Sequence, residues 1–377
     1  MSMKISYKKQ ITLYLLLTII LLSGIETIAR IYEFSISEKC DFLNKDVFRK
    51  YDEKFLKQMC SDLNKLNVVY EPPKLEIIPE QYFSTININS LGFRGEEIQI
   101  NKEPDVYRVF VLGGSTIFGH GSTSDEKTIP GFLQKKVNEM DVPFNVEVIN
   151  AGIPGGWSQT ESNYIKTKLI NFDPDLFIIY DGWNDSGVTI EQLNEILEKN
   201  EILEKNEILD ISDKQVDDEE NFLKFKNFPF YRTPTVIYRV FLYSDNSNNF
   251  PDNSENQRIV DIWKKNWSEI CDLGKEKNFS VKIFIQPILG TGDKKLSVDE
   301  ITILNKDVHV YRKLQFLDML GSDLDDVNKK CTEIVDLRNI FDNHSESIYF
   351  DSGHTSDNGN QIIAEKIFNE ILPIIKN

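Results

Sequence analysis

Five short runs rich in β-branched and aromatic residues alternate along the chain with segments of helical period. The runs are 107–112, 145–150, 175–180, 281–287 and 333–337. Such alternation leaves few folds, because parallel strands need long crossovers and helical crossovers cover both faces of the sheet they connect. A run such as DLFIIY at 175–180 has no polar face, as a strand buried on both sides requires. Helices are expected from about Thr128 to Val137, Ser158 to Leu169, 260 to 277 and Val298 to Leu320, with a closing helix from Ser356. In the closing helix Ile363, Ile367 and Ile371 repeat at i, i+4 and i+8, with Ala364, Phe368 and Leu372 beside them, so one stripe faces a sheet. The pattern predicts an α/β domain of three layers, α/β/α, around a five-stranded parallel sheet.

Two regions stand outside this alternation. Lys4, Lys8 and Lys9 precede ITLYLLLTIILLSGI, fifteen residues without a charge that end at Glu26. Its length lies between a signal-peptide core and a full membrane span of about 20 residues. Only Thr27 with Ala29 approaches a cleavage pattern, so an uncleaved transmembrane anchor over 11–30 is favoured over a cleaved leader. The lysines are expected to keep residues 1–10 in the cytoplasm and the rest outside the cell membrane. Residues 31–105, with the proline-rich YEPPKLEIIPE, are expected to form a stalk and lead-in before a domain over 106–377.

The second region is an insertion at about 187–258 that carries NEILEKNEILEKNEILD at 194–210. Each six-residue unit turns its Ile-Leu pair by about 600° on a helix, so three units spread their apolar pairs around all sides. The expected form is a solvated low-complexity expansion, and the later apolar piece FYRTPTVIYRVFLY is expected to cover the sheet edge or a cleft.

A net charge of −17 without a basic stripe argues against nucleic acid as a partner. The four cysteines lack the close pairs of a zinc site; as an even set outside the membrane they are expected to pair Cys40 with Cys60 and Cys271 with Cys331, with free thiols as the alternative. His120, His309 and His344 have no partner at metal-ligand spacing and receive no role.

The chemistry gathers in loops that follow strands. VFVLGGSTIFGHG at 109–121 breaks from a strand into glycine and serine, but it has neither the Lys-Ser/Thr of a Walker loop nor the G-x-G-x-x-G of a dinucleotide turn. Downstream come NAGIPGGWSQ with Gly152, YDGWND with Asn184, and YFDSGHTSDNG with Asp351 and His354. Ser115, His354 and Asp351 supply a hydroxyl nucleophile, an imidazole to take its proton and a carboxylate to orient the imidazole. The N–H groups of Ser115 and Gly152 and the amide of Asn184 are the expected oxyanion donors. Asp181 and Asp185, which flank Asn184, are expected to shape its loop.

In these blocks the chain resembles the SGNH hydrolases, also called GDSL esterases and lipases, over residues 89–377. GGST is similar to the block that carries the nucleophile, here Ser115. NAGIPG is similar to the block of the oxyanion glycine, here Gly152, GWND to the block of the asparagine, here Asn184, and DSGH to the block of Asp351 and His354. Gly114 departs from the aspartate many members carry before the turn. NSLGFRG and QPILGTGDKKLS at 286–297 resemble membrane-associated members. The resemblance implies a flavodoxin-like sheet and no metal or organic cofactor; the expected activity is hydrolysis of an ester, with an acylated glycan or lipid as the expected substrate. Transfer of the acyl group to a sugar hydroxyl, and a non-catalytic glycan-binding module, are the alternatives.

Overall fold

The computed structural model describes residues 6–37, 40–71, 74–189, 192, 194, 253–307, 309–322 and 324–376. It forms two units, one holding the N-terminal helix and one running from Cys40 to the C-terminus without residues 200–250. The repeat and the apolar piece of the insertion lie outside the described residues, apart from Asn194.

Helix α1, Tyr7–Ser37, extends the expected span at both ends. Its apolar part, Tyr7–Ile31, is 25 residues long, about 37 Å at the α-helical rise. That is long and apolar enough to cross a membrane, a property it shares with signal sequences.

The second unit is built on five parallel strands, β5 (Val106–Gly113), β6 (Asn145–Asn150), β7 (Leu176–Asp181), β8 (Ser280–Ile285) and β9 (Val335–Asp336). Their spatial order is β6-β5-β7-β8-β9. The chain thus reverses its direction of winding beside β5, the place where an open α/β sheet leaves a crevice at its strand ends. Successive side chains serve opposite cores. In β7, Leu176, Ile178 and Tyr180 pack with helices α4 (Ile129–Val137) and α10 (Asp357–Lys376), while Phe177 and Ile179 pack with α5 (Ser158–Thr167) and α6 (Asn253–Lys277). The three-layer expectation is met.

Two local expectations are corrected. Residues 40–105 are not a stalk, because from Cys40 the chain belongs to the same compact unit. There α2 (Glu53–Lys65) is followed by an antiparallel pair, β1 (Val68–Glu71) with β2 (Lys74–Ile77), and a second pair, β3 (Gln81–Tyr82) with β4 (Asn87–Ile88). Pro79 falls between β2 and β3, where no ladder N–H is needed, so it does not prevent pairing. The single helix expected over Val298–Leu320 is two, α7 (Val298–Lys306) and α8 (Val310–Ser322). Asp307 ends the first by accepting from the N–H of His309 and the hydroxyl of Ser352, a side chain outcompeting the helix for local bonds.

Both disulfides are present as expected, Cys40–Cys60 and Cys271–Cys331. The latter joins α6 to the turn after the short helix α9 (Asp325–Asn328).

Candidate active site

Strand β5 ends at Gly113, and the one-turn helix α3 (Ser115–Phe118) starts directly after Gly114. Ser115 is the first residue of that helix, so its N–H has no partner within the helix. A Cβ at position 114 would lie 2.0 Å from Asn184 Nδ2, so a larger residue there would push the asparagine away from the serine.

The turn before α10 brings the other two groups. His354 Nε2 lies 2.6 Å from Ser115 Oγ, and His354 Nδ1 lies 2.8 Å from Asp351 Oδ2. Asp351 Oδ1 also accepts from the N–H groups of Gly353 and His354, at 2.8 and 2.7 Å, so one carboxylate closes the turn and orients the ring. Burial alone would push the Asp351 carboxyl up. The charge of His354 and these three hydrogen bonds outweigh it and hold the carboxyl well below its ordinary range. With Asp351 ionised, Nδ1 must carry the proton it donates, which leaves the Nε2 lone pair toward the Ser115 hydroxyl.

Asn184 stands at the end of β7, and its Nδ2 donates to Gly156 O at 2.5 Å. The amide has a second N–H for another acceptor. Gly152 does not fill the place expected of it. Its N–H donates to Asn150 Oδ1 at 3.0 Å, and a Cβ on it would lie 2.2 Å from Phe118 N, so this glycine permits close packing behind α3. Gly155, three residues on, is exposed, has φ +83°, and its N–H makes no hydrogen bond among the described residues. It sits next to the carbonyl that takes the Asn184 amide.

Several supporting residues bear no catalytic signature in the sequence. Gln286 Nε2 donates to Thr116 Oγ1 at 3.0 Å and to Gly353 O at 3.4 Å, tying the nucleophile's helix to the histidine turn. Arg94, fully buried, bonds Asp125 through Nε at 2.7 Å, the carbonyls of Phe118 and Gly119 through Nη1, and Thr85 O through Nη2. The lead-in motif NSLGFRG therefore fixes the C-terminal end of α3. In QPILGTGDKKLS, buried Lys294 pairs with Glu300 at 2.8 Å. Glu300 also accepts from the N–H groups of Ile348 and Tyr349, just before Asp351.

Behind Asn184 lie three buried carboxyls, Asp181, Asp185 and Glu161. Asp185 accepts from Ser158 Oγ at 2.5 Å and from its N–H, and Asp181 accepts from Trp263 Nε1 at 3.0 Å. Neither oxygen of Glu161 has a hydrogen-bond partner among the described residues. Burial lifts the Asp181 and Glu161 carboxyls well above their ordinary range, helped by the charge of Asp185.

His120, given no role in the sequence, lies with its ring centre 4.7 Å from that of His354. No metal-binding group of three or more His, Cys, Asp or Glu side chains occurs among the described residues.

No family model and no curated protein matches the chain. Among solved structures it is similar to an acetyl xylan esterase, AlAXEase, at 14% identity and a TM-score of 0.39, over 70% of this chain and 99% of that one. It is also similar to Axe2, an acetylxylan esterase from Geobacillus stearothermophilus, at 12% identity and a TM-score of 0.40, over 70% of this chain and 94% of the other. TesA aligns at 11% identity and a TM-score of 0.39, over 71% of this chain and 98% of its own. Likenesses of this degree decide nothing about activity.

Proposed function

We propose that the chain is a serine hydrolase that cuts ester bonds through an acyl-enzyme on Ser115. One observation carries this reading: the unbroken hydrogen-bonded series from Ser115 Oγ through His354 to Asp351, at 2.6 and 2.8 Å. As Ser115 Oγ bonds to the ester carbonyl carbon, its proton passes to His354 Nε2. The carbonyl electron pair moves onto oxygen, where the N–H of Ser115 and the second N–H of Asn184 can receive it. We assign the third donor to the N–H of Gly155, because that of Gly152 is already bonded to Asn150. Collapse expels the alkoxide, which takes the proton from His354 and leaves the acyl group on Ser115. Water then attacks with His354 as base, the acid departs, and the hydroxyl of Ser115 is restored.

The domain works outside the cell membrane, held by α1, on an acylated glycan or lipid. The lysines ahead of the apolar segment and two disulfides in the second unit both support that side of the membrane. The test offers the full chain in detergent a series of p-nitrophenyl esters of rising acyl length, with and without a glycan acceptor. Turnover without acceptor supports hydrolysis. Turnover only with acceptor replaces water by a sugar hydroxyl in the second step, and glycan binding without turnover replaces the enzyme by a binding module. Protease added outside intact cells should remove the domain and spare a tag at Met1; a protected domain would reverse the orientation.

A further inference from the structure

Segment 40–65, which the sequence offers only as part of a stalk, reaches the back of the proposed base. Phe42, Phe48 and Phe350 are each about 1% exposed and pack with Leu56, Met59 and the Cys40–Cys60 disulfide. Phe42 meets Phe48 at 5.1 Å, Phe350 at 5.4 Å and His120 at 5.8 Å between ring centres. Phe350 lies nearly parallel to both histidines, 5.9 Å from His120 and 5.7 Å from His354. His120, part-exposed, is thereby flanked by Phe42, Phe350 and the ring of His354. Asp357 fastens the segment in place: it accepts from Tyr51 Oη at 2.9 Å and from the N–H and hydroxyl of Thr123, in the loop that follows His120.

We propose that Phe42, held by the Cys40–Cys60 loop, is a positioning residue for the reaction: it seals His120 against His354 and prevents a second cation from forming beside the base. The inference rests on the serine hydrolase reading, in which His354 must become an imidazolium as Ser115 attacks. A charged ring at 4.7 Å would oppose that step. The groups that face His120 are His354 and Asp351 from the turn before α10 and Arg94 from the lead-in, while segment 40–65 meets it with Phe42. Burial, with His354 and Arg94 adding to it and Asp351 opposing, pushes His120 down to about 3, so it stays neutral wherever the base works. Phe42 acts through His120 and touches no reacting atom.

Two measurements test this. In the full-length protein, the ring NMR signals of His120, assigned by comparison with His120→Asn, should stay flat between pH 5 and 8; titration in that window overturns the proposal whether or not any variant folds. In Phe42→Ala, more water reaches His120 and its signals should move up to titrate within that window. The ratio of Phe42→Ala to wild-type kcat should then fall roughly twofold to tenfold from pH 8 to pH 5, as the second cation forms. The double variant Phe42→Ala/His120→Asn should lose that pH dependence against wild type, even if its kcat is lower throughout. A ratio that is flat with pH in the single variant, or unchanged in the double, contradicts the proposal. Failure of the underlying reading looks different: no ester is turned over and no serine-directed probe attaches to Ser115, with the His120 titration unaffected.

Discussion

Asp351 and Asp181 are aspartates of one domain, each at the end of a chain segment that delivers a site residue, and they hold their protons oppositely. Asp351 has His354 beside it and accepts three hydrogen bonds, and these overcome its burial. Asp181 stands in a buried group of three carboxyls with no ion-paired cation among the described residues, and burial with the charge of Asp185 keeps its proton on. The residue type therefore does not assign the role. A carboxylate that must orient a histidine needs to be charged, and the turn at 351–354 arranges that. Carboxyls that only fix the Asn184 loop are tolerated in the core because at least part of the group is neutral.

The contrast breaks most sharply at the front of the site. Ser115→Ala or His354→Ala should each lower kcat by about 10⁴ to 10⁶ with the fold retained, read from ester turnover and circular dichroism. Asp351→Asn keeps the shape but loses the charge that sets the tautomer of His354, and a loss of about 10⁴ is expected. A loss under tenfold would mean that the charge of Asp351 is not needed. Asn184→Ala removes one oxyanion donor and should cost roughly 10² to 10³, mostly in kcat rather than KM.

The back of the site answers to stability rather than to rate. Glu161 has a folded value raised above the ordinary 4.5, so the fold holds a proton that the unfolded chain releases. Its contribution to stability is complete below about pH 4.5 and is lost as pH rises toward the raised folded value. Glu161→Gln cannot ionise, so its melting temperature should match wild type near pH 4 and exceed it by a few degrees near pH 9. An advantage that is constant with pH would show that Glu161 does not carry a buried proton.

The parts legible in the sequence were those written locally. Strand periodicity, the Asp-x-x-His turn and the glycine-serine break need only neighbouring residues to be read, and the nearer pairing of cysteines also held. The misreadings share a different cause. Asp307 ends a helix through Ser352, 45 residues away in the chain. Residues 40–105 read as lead-in because Phe42, Phe48 and Arg94 show their purpose only when the turn at 350–354 and α3 are beside them. Gly152 and Gly155 lie in the same block, and spacing cannot tell which N–H Asn150 will occupy. His120 looked idle because its neighbours come from segment 40–65 and the C-terminal turn, and the only signal near it was its place five residues after Ser115.

The central claim is that Ser115 is the nucleophile, and a fluorophosphonate probe tests it without knowledge of the substrate. The full chain should take up one probe molecule, found by peptide mapping at Ser115, with labelling abolished in Ser115→Ala and in His354→Ala. A probe found on another serine, or a Ser115→Ala protein that keeps full esterase activity, would contradict the account.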